Sequence, residues 1–491
     1  MSAGNFRGNA VLMEDRSGRG GVAPATHETM RRLLRTLLPL TAIAALAILA
    51  APAAASTGLA AARGFAPQQV LVKFEGERRG RAIALAPGVG VRQAARSLRR
   101  DPRVLYAAPN YVATASVARP APFDPDDSGA LEGGPEASSA PGGWAFKQWN
   151  LLAPEGATGA GMPSSPGGID AAGAWRYLIE DGRPGAAGVV VAVLDSGVAY
   201  RSFGSRFRRS PDFGPRQFVP GYDFVDGDRL PLDESGHGTH VAGTIGERTD
   251  NGVGLTGLAY GAKLMPVRVL DGEGFGNALA IAKGIRFAVA HGAQVINMSF
   301  NFDCGKRVPT VDEALREAYE AGVVTVASVG NLGSESCVSA PATGPRVIGV
   351  GGTTEGGCLG EYSLAGSGVD LVAPGGGVPA AGCPSVAARP IYQVTLFPGS
   401  TKTFAIPANY VGTSMAAAHV SGVAAMVLAA HKVNPVLPPE AQVRALAKRL
   451  RMAARDLGLP RVQQGAGLID AYRAIATGPS FYPAGQHPPL P

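Results

Sequence analysis

The hydrophobic pattern of this chain changes its period along the length. Val189-Val190-Val191-Ala192-Val193-Leu194 is an unbroken apolar run, the pattern of a strand buried on both faces. Residues 264–270, 295–298, 323–327 and 347–350 are similar runs with few interruptions. Between them, 278–291 and 310–321 space their apolar residues as helices do. The stretch 439–476 predicts further amphipathic helix, broken near Gly465-Ala466-Gly467. Strand alternating with helix predicts an α/β fold with a mostly parallel central sheet and helices on both faces.

Ahead of this lies a smaller pattern. Val70-Leu71-Val72-Lys73-Phe74 reads as a strand, and 91–100 as an amphipathic helix with Ala94, Ala95 and Leu98 on one face. Val104-Leu105-Tyr106-Ala107 reads as a second strand, closed by Pro109-Asn110. These elements make a small α+β unit, marginal by itself because so short a chain buries little surface. Residues 119–143 are mostly Pro, Gly, Ser, Ala and acidic residues, with little to bury, the composition of a flexible linker and a place where proteolysis concentrates. The divisions expected are 1–55, 56–118, 119–143, a large domain over 144–478, and a tail over 479–491.

The first division reads as a leader and signal peptide. Met30-Arg31-Arg32 is basic, 33–51 is apolar apart from Arg35, Thr36 and Thr41, and Ala53-Ala54-Ala55 is a small-residue cleavage pattern. The expectation is a secreted protein, extracellular or periplasmic; an uncleaved membrane anchor is the alternative. Charge sharpens the picture. Residues 1–143 hold 17 basic and 11 acidic side chains, leaving 45 − 17 = 28 against 38 − 11 = 27 in 144–491. The large domain is nearly neutral, which gives a nucleic-acid partner no support. The four cysteines, Cys304, Cys337, Cys358 and Cys383, form no CxxC pair and have no His at zinc-finger spacing. In an exported chain they read as two disulfides, for which three pairings exist.

Three strings carry chemistry. In Gly412-Thr413-Ser414-Met415-Ala416-Ala417-Ala418-His419 a Ser precedes small residues able to form a tightly packed helix. Its hydroxyl would sit at the positive end of the helix dipole, although a plain N-cap Ser looks the same. Ser235-Gly236-His237-Gly238-Thr239-His240 sets a His between glycines. His is the usual general base near neutral pH, yet a His in a Gly-rich turn is often structural. Leu194-Asp195-Ser196-Gly197 puts a carboxylate where the buried strand ends, the end at which catalytic groups gather in such sheets.

Together the strings are specific. In the order Asp, His, Ser, with HGTHVAG and GTSMAA nearly intact, the chain resembles the subtilisin-like serine proteases over roughly residues 145–476. The resemblance implies a subtilisin-like fold and a secreted serine endopeptidase that cleaves protein or peptide substrates through an acyl-enzyme. It implies Ser414 as nucleophile, His237 as base and then acid, and Asp195 as the group orienting the imidazole. Asn331, in Ser328-Val329-Gly330-Asn331, corresponds to the oxyanion donor, with the Ser414 N–H as the second. Ser299, Phe300 and Asn301 resemble one substrate-binding strand, Gly274, Phe275 and Gly276 the strand facing it, and Ser328 and Gly330 the pocket wall. Binding would be β-strand addition. No Asp or Glu is placed for the primary pocket, so apolar or mixed rather than basic preference is expected.

The chain departs from the family at Ser328-Val329, where Ala-Ala is common, at Asn301, where Gly is common, and at Ala418, where Pro is common. Nearness of the two pocket walls in the family favours pairing Cys304 with Cys337, and then Cys358 with Cys383. The 56–118 division resembles an inhibitory prodomain, whose C-terminal tail would lie in the active site until the chain processes itself somewhere in 113–148. No cofactor is needed for the chemistry, and a monomer is expected. Asp226-Gly227-Asp228, beside Asp223 and Asp233, resembles a calcium-binding stretch of some relatives, so Asp226 and Asp228 are candidate ligands; a solvated acidic turn is the alternative. A catalytically silent scaffold would be expected to have lost one of these groups, and none is lost. A serine esterase would carry G-x-S-x-G around its nucleophile, which Ser414 lacks.

Overall fold

The structure, a computed structural model, describes residues 65–115, 144–154, 163–249, 251, 254–333 and 337–477. They all belong to one compact unit spanning Pro52–Pro491. The expected leader (1–55), linker (119–143) and tail (479–491) lie outside the described residues, as do 56–64 and 116–118.

The N-terminal part begins with β1 (Phe65–Phe74), β2 (Arg81–Ala84), α1 (Val91–Leu98) and β3 (Val104–Ala115). β1 pairs antiparallel with both β2 and β3. Alternation along β1 divides its side chains between two cores. Val70 and Val72 pack with Leu85, Val91, Ala94, Ala95 and Ala107 in a small local cluster. Leu71, out of phase with them, joins the core of the larger part. β3 runs well beyond the 104–107 expected from the apolar pattern, because its second half finds strand partners elsewhere.

The larger part continues with α2 (Ala171–Glu180), β4 (Val190–Asp195), β5 (Tyr222–Asp223), α3 (His237–Gly246), β6 (Lys263–Arg268) and β7 (Phe275–Asn277). Next come α4 (Ala278–Ala290), β8 (Val295–Met298), β9 (Phe300–Phe302), α5 (Pro309–Glu320), β10 (Val324–Ser328), β11 (Ile348–Thr353) and β12 (Leu371–Pro374). A small antiparallel hairpin, β13 (Thr395–Leu396) and β14 (Phe404–Ala405), precedes α6 (Thr413–Ala429), α7 (Pro439–Ala453) and α8 (Ala471–Ala476).

The central sheet has seven parallel strands in the order β12-β11-β10-β8-β4-β6-β5. The chain leaves β4 toward β5 and β6 on one side, then toward β8 and beyond on the other. That reversal puts the carboxyl end of β4 at a switch point, where α/β sheets bind ligands. Val191, Ala192, Val193 and Leu194 are wholly buried, which explains the unbroken apolar run. α6 is buried along its length except for Leu428, so it is covered on every side rather than amphipathic.

Candidate active site

Asp195 is the last residue of β4 and fully buried, and the Ser196 N–H donates to its Oδ1 at 2.8 Å. His237 opens α3, whose sequence HGTHVAGTIG is rich in glycine and β-branched residues and a poor helix former. The cap supplies what propensity lacks. The buried carboxylate of Asp233 accepts from Ser235 N (2.9 Å), Gly236 N (3.0 Å), Thr239 N (2.9 Å), Thr239 Oγ1 (2.6 Å) and Ser196 Oγ (2.9 Å). This one side chain pins the start of α3 to the residue after Asp195. Gly238 permits the approach, since a Cβ there would stand 2.1 Å from the Gly197 carbonyl oxygen and 3.1 Å from the Asp195 Cβ. The result is a 2.7 Å hydrogen bond from His237 Nδ1 to Asp195 Oδ1.

Burial opposes charging of His237, but the Asp195 carboxylate, by charge and by hydrogen bond, and Asp233 more weakly, raise its pKa above the ordinary imidazole value. The neighbouring histidines go the other way. Burial lowers His240 to about 3, where Nε2 meets the Ile391 carbonyl at 3.0 Å and the ring stacks on Tyr410. Burial lowers His419 to about 4; its Nδ1 donates to the Met415 carbonyl at 2.7 Å and its Nε2 accepts from Asn150 at 2.8 Å. Of the three, only His237 is poised to carry a proton near neutral pH.

Ser414 lies in the first turn of α6, where backbone N–H groups have no intrahelical acceptor. Its Oγ donates to the Ser299 carbonyl at 3.1 Å, and Ser299 Oγ donates to the Ser414 carbonyl at 2.9 Å. Behind them Asn297 Nδ2 donates to Ser299 Oγ, and Ser421 Oγ to Asn297 Oδ1, each at 2.9 Å. Asn331 is held by its oxygen: Oδ1 accepts from Thr413 N at 2.9 Å and Thr413 Oγ1 at 2.8 Å. Its Nδ2 therefore faces away, buried and without a hydrogen-bond partner among the described residues, and His237 Nε2 is in the same condition. Buried polar groups are rarely left unpaired, and a functional role is one standing reason for it. Thr413, Asn297 and Asp233 were not singled out as site residues from sequence. Thr413 stands within the GTSMAA string, and Asp233 within the acidic cluster before His237.

β3 runs into the cleft between β7 and β9. Val112, Ala113 and Thr114 pair antiparallel with Asn277, Gly276 and Phe275. Ala113, Thr114 and Ala115 pair antiparallel with Phe302, Asn301 and Phe300. Phe275, Gly276, Phe300 and Asn301 thus flank a strand of this same chain. Gly274 precedes β7 in a turn, donating to the Asp271 carbonyl. Gly330 donates to Thr413 Oγ1 at 3.2 Å.

The acidic loop holds an arginine rather than a set of cation ligands. Arg268 donates to Asp223 (2.9 Å), Asp226 (2.7 Å) and Glu234 (2.9 Å). Asp228 accepts from Leu230 N, and Asp233 is occupied as described. Asp226 and Asp228 are therefore not gathered as calcium ligands. Among the described residues no group of three or more His, Cys, Asp or Glu is arranged to hold a metal ion. Cys304 is bonded to Cys337 and Cys358 to Cys383, with Cα separations of 5.9 and 6.0 Å.

The profile of the subtilase family matches residues 186–468. The chain belongs to that family of serine endopeptidases. Subtilisin Savinase of Lederbergia lenta is 35% identical over 289 residues, which cover 58% of this chain and 90% of Savinase. The "Thermophilic serine proteinase" of Bacillus sp. (strain AK1) is 35% identical over 250 residues, 51% of this chain. The subtilase described here spans only 54% of that relative's length. Among solved structures, fervidolysin from Fervidobacterium pennivorans, described as a keratinolytic enzyme related to subtilisin, aligns with a TM-score of 0.60 at 25% identity. That alignment covers 87% of this chain and 62% of fervidolysin. Proteases from Pseudoalteromonas arctica align with a TM-score of 0.52 at 30% identity, over 63% of this subtilase and 94% of theirs.

Proposed function

We propose that this subtilase is made as a self-processed precursor and cleaves peptide bonds in proteins with Ser414 as nucleophile. The observation that carries the reading is the buried 2.7 Å contact of His237 Nδ1 with Asp195, which leaves His237 Nε2 unpaired. With Nδ1 protonated and bonded to the carboxylate, Nε2 is the basic nitrogen. It takes the Ser414 proton as the hydroxyl attacks the scissile carbonyl, and returns it to the leaving amine. Asp195 steadies the imidazolium formed in between. The carbonyl oxygen, now negative, is received by Asn331 Nδ2 and the Ser414 N–H. Thr413 is a positioning residue, because it fixes which end of the Asn331 amide faces the cleft. Water then cleaves the acyl-enzyme by the same proton path in reverse.

Residues 56–118 act in this reading as a cis-acting inhibitor. Support comes from the pairing of 112–115 with both flanking strands, which is how an extended substrate would be held. Export rests on the sequence pattern of 30–55; among the described residues no helix is long and apolar enough to cross a membrane. Calcium has no part in the proposal, since Arg268 already neutralises Asp223 and Asp226. The test is expression of wild type beside Ser414→Ala, with fluorophosphonate labelling and mass spectrometry. Wild type is expected to label and to lose the 56–143 region, whereas the variant does neither. Labelling of the variant would assign the nucleophile elsewhere, and equal processing of both would end the self-maturation reading.

A further inference from the structure

Two of the departures from the family pattern on the pocket walls, Asn301 and Ser328, meet each other. Asn301 Nδ2 donates to the Ser328 carbonyl at 2.6 Å, and Ser328 Oγ donates to Asn301 Oδ1 at 3.1 Å. Asn301 is 8% exposed and Ser328 wholly buried. They belong to different elements, β9 and β10, that share no backbone ladder. The spacing of these walls is fixed from behind as well. Phe302 N donates to the Ala340 carbonyl at 2.8 Å, Ser339 N to the Val329 carbonyl at 3.0 Å, and the disulfide between Cys304 and Cys337 ties the segments that follow.

The ladder tells which substrate residue meets this bridge. Thr114 lies opposite Asn301 and Ala115 opposite Phe300. The next rung is at Ser299, whose carbonyl accepts the Ser414 hydroxyl. A polypeptide bound in that register presents to Ser414 the residue opposite Ser299. Its side chain must enter between the 299–301 and 328–330 walls, below the Asn331 donor. The Asn301 amide already spans that gap.

We propose that Asn301 and Ser328 together set the primary specificity, restricting the residue on the acyl side of the scissile bond to small side chains. The proposal rests on the endopeptidase reading above. A large side chain entering there breaks two buried hydrogen bonds, a penalty on the order of tenfold to a hundredfold in rate. The chain's own sequence is consistent with it: the residue after Ala115 is Ser116. The bond expected to be cut in maturation joins Ser116 to Val117.

The experiment compares kcat/KM for peptides differing only at that position, Ala or Ser against Leu or Phe. It uses wild type, Asn301→Gly and Ser328→Ala, each normalised by fluorophosphonate titration of active enzyme. Wild type is expected to favour the small residues by at least about tenfold, and Asn301→Gly to move that ratio toward Phe by about tenfold or more. Ser328→Ala, which removes one hydroxyl, moves it in the same direction by less and serves if Asn301→Gly does not fold. The new N-terminus of processed wild type is expected at Val117. Wild type that titrates fully yet cleaves after Phe as fast as after Ala overturns the proposal, as does a ratio unmoved in both variants. Failure of wild type to titrate at all overturns the endopeptidase reading instead.

Discussion

The N-terminal part and the catalytic part solve the problem of holding a shape in opposite ways. Among the described residues the first has a core of seven buried side chains, six of them alanine or valine drawn from β1, α1 and β3. It completes itself with polar contacts to α5 beside it. Lys73 Nζ pairs with Glu313 at 2.7 Å, and Tyr106 Oη meets Thr310 Oγ1 at 3.0 Å and Glu313 at 3.2 Å. The catalytic part is built on a fully parallel sheet and a helix buried on all sides, and holds its unpaired groups, His237 Nε2 and Asn331 Nδ2, inside that frame. A large apolar core can carry the cost of buried groups left without partners until substrate arrives. The small core instead sets Lys73 and Tyr106 against a neighbouring helix. Under the self-processing proposal, one region is constructed to last and the other to be given up.

The sharpest way to break this contrast is at the dyad. Asp195→Asn keeps the shape but removes the charge that fixes the His237 tautomer, and kcat is expected to fall by about 10⁴ with folding intact. In wild type, protonated His237 cannot act as base, and its pKa is raised. The acid limb of kcat/KM should therefore lie above the ordinary imidazole value of about 6.5; a limb at or below that value would contradict the electrostatic account. Asn331→Leu comes next. It removes the waiting donor and should lower kcat by about 10²–10³ while KM changes little. A stopped-flow comparison in which KM absorbs the loss would show that Asn331 serves binding instead. The smallest effect belongs to the other region. In the Ser414→Ala chain, Lys73→Ala combined with Tyr106→Phe should speed hydrogen exchange in β1 and β3 by about tenfold, because a partly buried charge-assisted bond contributes about 1–3 kcal/mol. Exchange in α6 should not change. If it accelerates too, the two regions stand or fall as one.

Much of the catalytic part was legible because its physics is periodic. The run 189–194 is apolar without break because both faces of β4 are covered, and 278–291 and 310–321 became α4 and α5 within a residue or two. What escaped lacks a period. α3 read as a glycine-rich turn, since its helix is imposed by the Asp233 cap and by burial rather than by propensity. β5 and β13 are two residues each, too short to alternate. The acidic loop suggested calcium because a sequence does not reveal that Arg268, more than thirty residues on, lies against it. Asn301 and Ser328 were each visible as departures from a family pattern. Their contact across 27 positions was not, and it changes two separate oddities into one device.

The placement of Val112 to Ala115 between β7 and β9 also has a bearing on timing. A strand at the edge of a sheet unzips rung by rung, whereas one paired on both sides must surrender two rows of main-chain bonds together. Severing the chain would not by itself vacate the cleft. Under the self-processing proposal, progress curves of fresh precursor should accordingly begin with a delay that outlasts the first cut and shortens once an already mature molecule digests the departing fragment.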